Sequence, residues 1–388
     1  MSTYADKLAP TPGERSGRAP EGGPLSMGVE EEFFVVDTRT QELVDSADLL
    51  DRVCRDDTEH YSSELRPCMV ESRTGICWSL AELRTDLRAR RDALTGAAAG
   101  TGTSVVSSGT YPPADWRRVG FTDRPRYEHI AEAFARLADE HLICACHVHI
   151  GVEDRDTAVE VMNRVRRWLP VLSALSASSP FWTEQDTRYA SYRSTVWSRW
   201  PMAGVPPTVS SYADHCERVG RLVGTGTSAD AGQVFWDVRP GTKYRTVEFR
   251  IADACTTIDE AVLQAALSRA LVHRCLTDIA RGDPAPEVAP ELLNAARWRA
   301  ARFGLTEKLI DPSTAELVPA AELVDRLLDH VGGPLVAAGD WAEVTALVQR
   351  TLRWGNSADR QRRAFADSGS LTDVVKQLIA ETMTDEKG

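Results

Sequence analysis

The chain has 388 residues, 43% hydrophobic and 26% charged, an ordinary composition for a protein that buries a sizeable core. Its formal net charge of −12 and pI near 5.3 leave no basic excess to neutralise phosphates, which excludes nucleic acid and anionic membranes as expected partners. The eight cysteines are scattered, no apolar run approaches a membrane span, and the start Met1–Lys7 lacks the apolar stretch of a signal peptide, so a cytoplasmic, reducing location is expected.

Residues 1–25 are rich in Pro, Gly and charge without periodicity and are expected to form a disordered arm. A strand follows at about 28–36. The spacing of Ser79 and Glu82, then Leu83, Leu87 and Leu94, predicts a capped helix over 79–99. A strand near 103–108 precedes the turn Gly109-Thr110-Tyr111-Pro112-Pro113, and a helix near 125–140 leads into a strand holding Cys146-His147-Val148-His149-Ile150-Gly151. A long apolar helix is predicted from about 155 to 179, kinked at Pro170. The stretch 181–212, rich in aromatics, Arg, Ser and Pro, is predicted as a long ordered loop of functional importance. Strands near 233–238 and 244–253 follow, then helices from about Asp259 onward, with 290–388 helical throughout. With no internal repeat and no linker in view, one domain over 26–388 is the simplest division.

Three of these segments carry chemistry. In a strand, residues i and i+2 share a face about 7 Å apart. Glu30 therefore pairs with Glu32, His147 with His149 and Glu248 with Arg250, while Val148, Ile150, Val247, Phe249 and Ile251 take the other face. A lone Glu-x-Glu is most often a solvated face, but Phe33, Phe34, Val35 and Val36 make this strand central, and carboxylates on a central strand call for a cation such as Mg²⁺. Glu31 falls among the apolar residues, which leaves it a rim position or an arginine partner. His147 and His149 also suit zinc, yet parity places Cys144 and Cys146 on the opposite face, where small buried thiols are the commoner outcome. Glu64 and Glu71 would face oppositely on one uninterrupted strand, and Pro67 between them signals a bulge or turn that resets the phase. No glycine-rich phosphate loop occurs, so any nucleotide would be held through metals and arginines.

Across roughly residues 26–305 the sequence resembles the carboxylate–amine ligases of the glutamate–cysteine ligase type 2 family. The landmarks run in family order: Gly28-Val29-Glu30-Glu31-Glu32-Phe33, Gly109-Thr110-Tyr111-Pro112, Cys146-His147-Val148-His149-Ile150-Gly151, Ser178-Ser179-Pro180-Phe181-Trp182, Ala190-Ser191-Tyr192-Arg193, Arg199-Trp200-Pro201, Trp236-Asp237-Val238-Arg239-Pro240 and Val247-Glu248-Phe249-Arg250. The resemblance implies an α+β, glutamine-synthetase-like fold, with a curved, mainly antiparallel sheet whose polar face is catalytic and whose other face packs on helices. It implies that Glu30, His147 and Glu248 hold one metal and that Glu32, Glu64 and Glu71 hold another, with Mg²⁺ or Mn²⁺ as the ion. Arg250 would stabilise the transferring phosphoryl group, His149 and Arg239 would sit near ATP phosphates, and Arg193 would meet a substrate carboxylate or phosphate. The implied reaction is ATP-dependent joining of glutamate to an amino-acid amine through an acyl phosphate, by a protein that is compatible with homo-oligomer formation. Departures at Ala145, at Glu71-Ser72-Arg73-Thr74, and at Glu184 and Arg188 where glycines are usual, bear on the acceptor and leave cysteine open to replacement by another amine.

Overall fold

The computed structural model describes residues 24–55 and 57–383, so the expected arm over 1–25 lies outside them except for Pro24 and Leu25. Eleven strands are present among these residues: β1 Met27–Asp37, β2 Tyr61–Ser63, β3 Met69–Arg73, β4 Thr103–Val106, β5 Ala145–Gly151, β6 Phe181–Trp182, β7 Gln185–Asp186, β8 Val238–Pro240, β9 Thr246–Asp253, β10 Lys308–Asp311 and β11 Glu316–Pro319. The main sheet runs β2-β3-β1-β5-β9-β8, with β4 pairing the C-terminal half of β1, and every pairing is antiparallel.

The alternation read in the sequence decides which side of the sheet is dry. Met27, Val29, Val148, Ile150, Val247 and Phe249 form one buried cluster with the helices Arg155–Val165, Leu169–Ser176, Ile258–Ala280 and Ala320–Ala338. Ile258–Ala280 begins with a capping box between Thr257 and Glu260 and is buried from Ile258 through Val272, which makes it the central helix beneath the sheet. On β1 the polar face ends at Glu32. Phe34 and Val36, of the same parity, are fully buried against Tyr111, Phe181 and the last helix, Leu371–Met383. The functional groups are thereby confined to one half of the strand.

Glu31, of the dry parity, is buried and paired with Arg91 from the helix Leu80–Ala98. Arg91 Nη2 and Nε donate to Glu31 at 2.6 and 3.2 Å, and its remaining hydrogens go to the carbonyls of Cys255, Thr256 and Thr382 at 2.7–2.8 Å. A buried ion pair holds only when its remaining donors are also satisfied, as they are here.

Several elements differ from expectation for local reasons. The predicted helix over 155–179 breaks into two around a 3₁₀ turn, Arg166–Trp168, because Pro170 has no N–H to donate and starts a new first turn instead. The helix over 125–140 stops at Phe134, where Ala135 takes a φ of 44°, and resumes at Arg136–Asp139. The stretch 181–212 is no plain loop: it holds the β6–β7 hairpin and the helix Tyr192–Trp197. The helical C-terminal part carries the β10–β11 hairpin. At the predicted capped helix, Ser79 Oγ accepts from Glu82 N at 3.2 Å as expected, but the Glu82 carboxylate reaches one residue further, to Trp78 N at 2.7 Å.

Candidate active site

Three cross-strand rungs bring the charged side chains together. Glu32 lies opposite Glu71, which lies opposite Ser62; Glu30 lies between His147 and Arg73; His149 lies opposite Glu248, which lies opposite Arg239. Glu64 follows β2 directly. The chain reverses between β2 and β3, and that hairpin, rather than a bulge, returns Glu64 to the side of Glu71. β9 spends three steps, Phe249 to Ala252, against the two steps from Val148 to Cys146 on β5. The extra residue is a β-bulge at the position of Arg250, the kind of irregularity that re-aims a side chain.

Two groups of ligand-type atoms result. One oxygen or nitrogen each from Glu30, His147 and Glu248 lie within 4.8 Å of one another, and so do carboxylate oxygens of Glu32, Glu64 and Glu71. The first group meets counter-charges from the chain. Glu248 accepts from Arg239 Nε at 2.8 Å and contacts Arg250 Nη1, and Glu30 lies 3.4 Å from His147 Nδ1 and 3.5 Å from His149 Nε2. Burial pushes Glu30 and Glu248 up, but His149 and His147 outweigh it for Glu30, as do Arg239 and Arg250 for Glu248. Both carboxyls end below the usual range. Burial and the nearby Arg250 push His147 down to about 4, so it is a neutral imidazole at neutral pH. His149 goes the other way: burial pushes it down, but Glu30 and Glu248 together outweigh that cost and raise it.

The second group is held differently. Burial and mutual repulsion push Glu32 up to about 7 and Glu64 well above the carboxylate range; Glu71 is also raised. Ala145 N donates to Glu32 at 2.7 Å, and Arg73 Nε lies 3.2 Å from Glu71 from a partly exposed position. Three close carboxylates with so little compensation fit a hard divalent cation bound through oxygens. The Glu30, His147 and Glu248 set, with one imidazole, suits Mg²⁺ and Mn²⁺ alike.

Two cavities adjoin these groups. The larger, about 1650 Å³, is lined by Gly28, Glu30, Arg73, His149, Tyr244 and Arg245 among others, and exceeds the size of an ordinary small-molecule cleft. The smaller, about 240 Å³, is lined by Glu32, Glu64, His147, Arg193 and Arg250, with an aromatic wall of Trp197, Trp200 and Phe235. Arg250 touches the small cavity and Glu248 together. Arg193 is buried, donates to the carbonyls of Arg250 and Ile251 at 3.1 and 3.3 Å, and sits 3.6 Å from Asp253. Arg239 lines neither cavity. Expected near phosphates, it is instead spent on Glu248 and on the carbonyls of Gly232 and Val234.

The sequence reading missed Asp253, which gathers several landmarks. Its carboxylate accepts from Ser178 N at 3.0 Å and from the hydroxyls of Ser179 and Ser191 at 2.7 Å. A Cβ on Gly109 would come within 2.8 Å of the Asp253 Cγ, so only glycine fits there. Asp253 thus ties the Gly109 turn, the Ser178-Ser179 segment and the Ser191 cap behind β9. The aromatic wall was missed as well; the density of Trp and Tyr between 181 and 212 and the Arg199-Trp200-Pro201 landmark were signals for Trp197 and Trp200, but not for Phe235.

The sheet and its helices have the glutamine-synthetase-like fold, and the relatives give the class of protein, an ATP-dependent carboxylate–amine ligase. The chain belongs to glutamate–cysteine ligase family 2, whose sequence profile matches residues 26–377. It is 42% identical over 377 residues to a Frankia alni protein provisionally named glutamate–cysteine ligase 2-2, covering 93% of this chain and 98% of that protein. Among solved structures, a bifunctional glutathione synthetase from Pasteurella multocida superposes with a TM-score of 0.70 at 14% identity, over 93% of this chain and 52% of the other. A glutamate–cysteine ligase from Francisella tularensis, in complex with AMP, gives 0.68 at 11% identity, over 94% and 90%. Likenesses at such identity speak for the fold.

Proposed function

We propose that the protein phosphorylates the γ-carboxylate of glutamate with ATP and joins the acyl group to the amine of cysteine or a similar amino acid, within one catalytic unit spanning 26–388. The observation that carries this reading is the position of Arg250: it lines the small cavity beside Glu32, Glu64 and His147 while its guanidinium is held by Glu248. The large cavity, reaching the same sheet face at Glu30 and His149, is the nucleotide side; the Francisella tularensis neighbour, a complex with AMP, supports nucleotide use in general.

Glutamate enters the small cavity with its γ-carboxylate toward Arg250. An oxygen of that carboxylate attacks the γ-phosphorus of ATP, the bond to the bridging oxygen breaks, and ADP leaves. Arg250 offers a planar, always charged fork to the phosphoryl oxygens as charge develops on them. Arg239 keeps Glu248, and through it Arg250, in place. His149 faces the nucleotide, and Arg193 braces the backbone of Arg250 and Ile251. The amine nitrogen then attacks the acyl carbon, phosphate departs and the nitrogen gives up a proton. Mg²⁺ or Mn²⁺, which Glu32, Glu64 and Glu71 and Glu30, His147 and Glu248 would hold, would neutralise β/γ-phosphate charge. The aromatic segment 181–212 shields the acyl phosphate from water.

ADP and phosphate should appear only when Mg²⁺, glutamate and a suitable amine are supplied together, and a screen of amines with phosphate release as readout should single out the acceptor. Amide hydrolysis without nucleotide, sustained by zinc and lost in His147→Ala, would sink the ligase reading.

A further inference from the structure

The small cavity has a surplus of donors. Four buried N–H groups without a hydrogen-bond partner among the described residues belong to side chains that line it: Arg193 Nε, Arg250 Nε, Trp197 Nε1 and Trp200 Nε1. Trp197 and Trp200 are only 7% and 3% exposed, and Arg193 only 2%. Buried indole N–H groups ordinarily find an acceptor, and leaving one unmet is costly. So many around one cavity of about 240 Å³ describe the shape of a ligand rich in acceptors.

Arg250 marks the end beside Glu32, Glu64 and His147, where the reacting carboxylate would lie. The Trp197 ring packs against His141, with centroids 5.7 Å apart, and against Phe235 at 5.0 Å; the Trp200 ring meets His141 at 5.2 Å. Arg193 and Arg250 both lie 5.8 Å from the Trp197 ring, so this indole stands between the two guanidinium groups and the aromatic wall. The pair Trp197 and Trp200 comes from the short helix Tyr192–Trp197 and the turn that follows it, an element fastened to Asp253 through Ser191. The position of this wall is therefore fixed by the same buried network that braces β9.

We infer that Trp197 and Trp200 are specificity-determining residues, whose indole N–H groups, with Arg193, bind a second carboxylate of the acid substrate and so select dicarboxylic over monocarboxylic acids. The inference rests on the ligase reading above and sharpens it. The lining also contains the apolar side chains of Leu65, Ile130, Ile143 and Phe235, which match the methylene chain between the two carboxylates.

The test compares glutamate with 4-aminobutanoate, which keeps the reacting carboxylate and the amino group but lacks the second carboxylate. Wild-type enzyme should favour glutamate in kcat/KM by about 100-fold or more, as expected when buried donors are left unpaired by the smaller acid. Trp197→Phe and Trp200→Phe keep the ring and remove the N–H. Each should raise KM for glutamate by about 10-fold, shrink the preference over 4-aminobutanoate, and leave KM for ATP unchanged. Calorimetric titration with glutamate reads the same subsite without turnover, so a variant that is folded but inactive still reports. Equal use of both acids by the wild type, or an unchanged preference and glutamate affinity in both variants, would overturn the inference while leaving the ligase intact. Glutamate binding that weakens in the variants of a protein that never consumes ATP would uphold the subsite and reject the ligase.

Discussion

Glu248 and Glu30 find their counter-charges within the chain, whereas Glu32, Glu64 and Glu71, one rung away on the same sheet face, lean on one another. The first pair is held below the usual carboxylate range by Arg239, Arg250, His149 and His147. The second group is pushed upward by burial and by neighbouring carboxylates: Glu71 raises Glu32 and Glu64, and Glu30 raises Glu71. Similar residues on similar strands thus differ in what they demand of a partner. The first set is prebuilt by protein cations and stays ordered by itself, while the second becomes fully ionised only when something else brings positive charge. Cation binding is expected to be driven by the Glu32 group and positioned by the Glu248 group.

The largest effect should come from neutralising Glu248. In Glu248→Gln two buried guanidinium groups lose their charged partner, and breaking such a pair from one side costs about 3–5 kcal/mol. Turnover should vanish and Tm should drop even without divalent cation. A variant that melts like the wild type would show that Arg239 and Arg250 do not depend on Glu248, and the contrast between the two groups would fail.

Arg250→Lys makes a narrower cut. Lysine keeps the charge near Glu248 but not the planar fork. If Arg250 meets the phosphoryl group in transfer, kcat should fall by about 100-fold with ATP affinity nearly preserved and only a modest loss of Tm. A lowered Tm with normal kcat in the folded fraction would reduce Arg250 to a partner of Glu248.

The smallest effect is on pH dependence, to which Glu32 contributes a component that Mg²⁺ should reverse. Glu32 has a folded value of about 7 against an ordinary 4.5, so the folded state binds its proton more tightly than the unfolded state. Its contribution to stability is full below about pH 4.5 and is lost as pH rises through about 7. Glu30 and Glu248 carry the opposite sign and titrate lower, outside this window. His147, held down to about 4, works against this up to its ordinary 6.5, as do His141, His215 and His330. Without divalent cation, Tm should therefore decline between about pH 6.5 and about pH 8; Mg²⁺ should flatten the decline and release protons as it binds. Glu64→Gln, which removes one repelling charge, should also flatten it and blunt the response to Mg²⁺. An identical slope in wild type and variant would show that the three carboxylates are not coupled.

Much of this was legible because a strand's period of two separates faces without further information. Glu30, Glu32, His147, His149, Glu248 and Arg250 were assigned to one face from parity, and the sheet bears them on one face. Glu64 and Glu71 were not, since their relation depends on a hairpin whose two short strands, Tyr61–Ser63 and Met69–Arg73, hold too few residues to show a period. The β6–β7 pair, two residues a side, escaped for the same reason. Glu31 required a partner 60 residues away on a helix, and Asp253 collects groups from three distant segments; such pairings are set by tertiary packing, which spacing does not encode. The Asp311-Pro312 turn between β10 and β11 was available as a signal within the helical part and was outweighed by its surroundings.

Arg91 also lets distant parts of the chain hold one strand. Its guanidinium ties Glu31 to the carbonyls of Cys255 and Thr256 and, 291 residues from Arg91 itself, to that of Thr382 on the helix Leu371–Met383. One N–H of this buried fork therefore has its acceptor only while that helix is docked. The strand that carries Glu30 and Glu32 is thus secured from behind by a segment that touches neither cavity, and loosening the helix would reach the site through a single guanidinium.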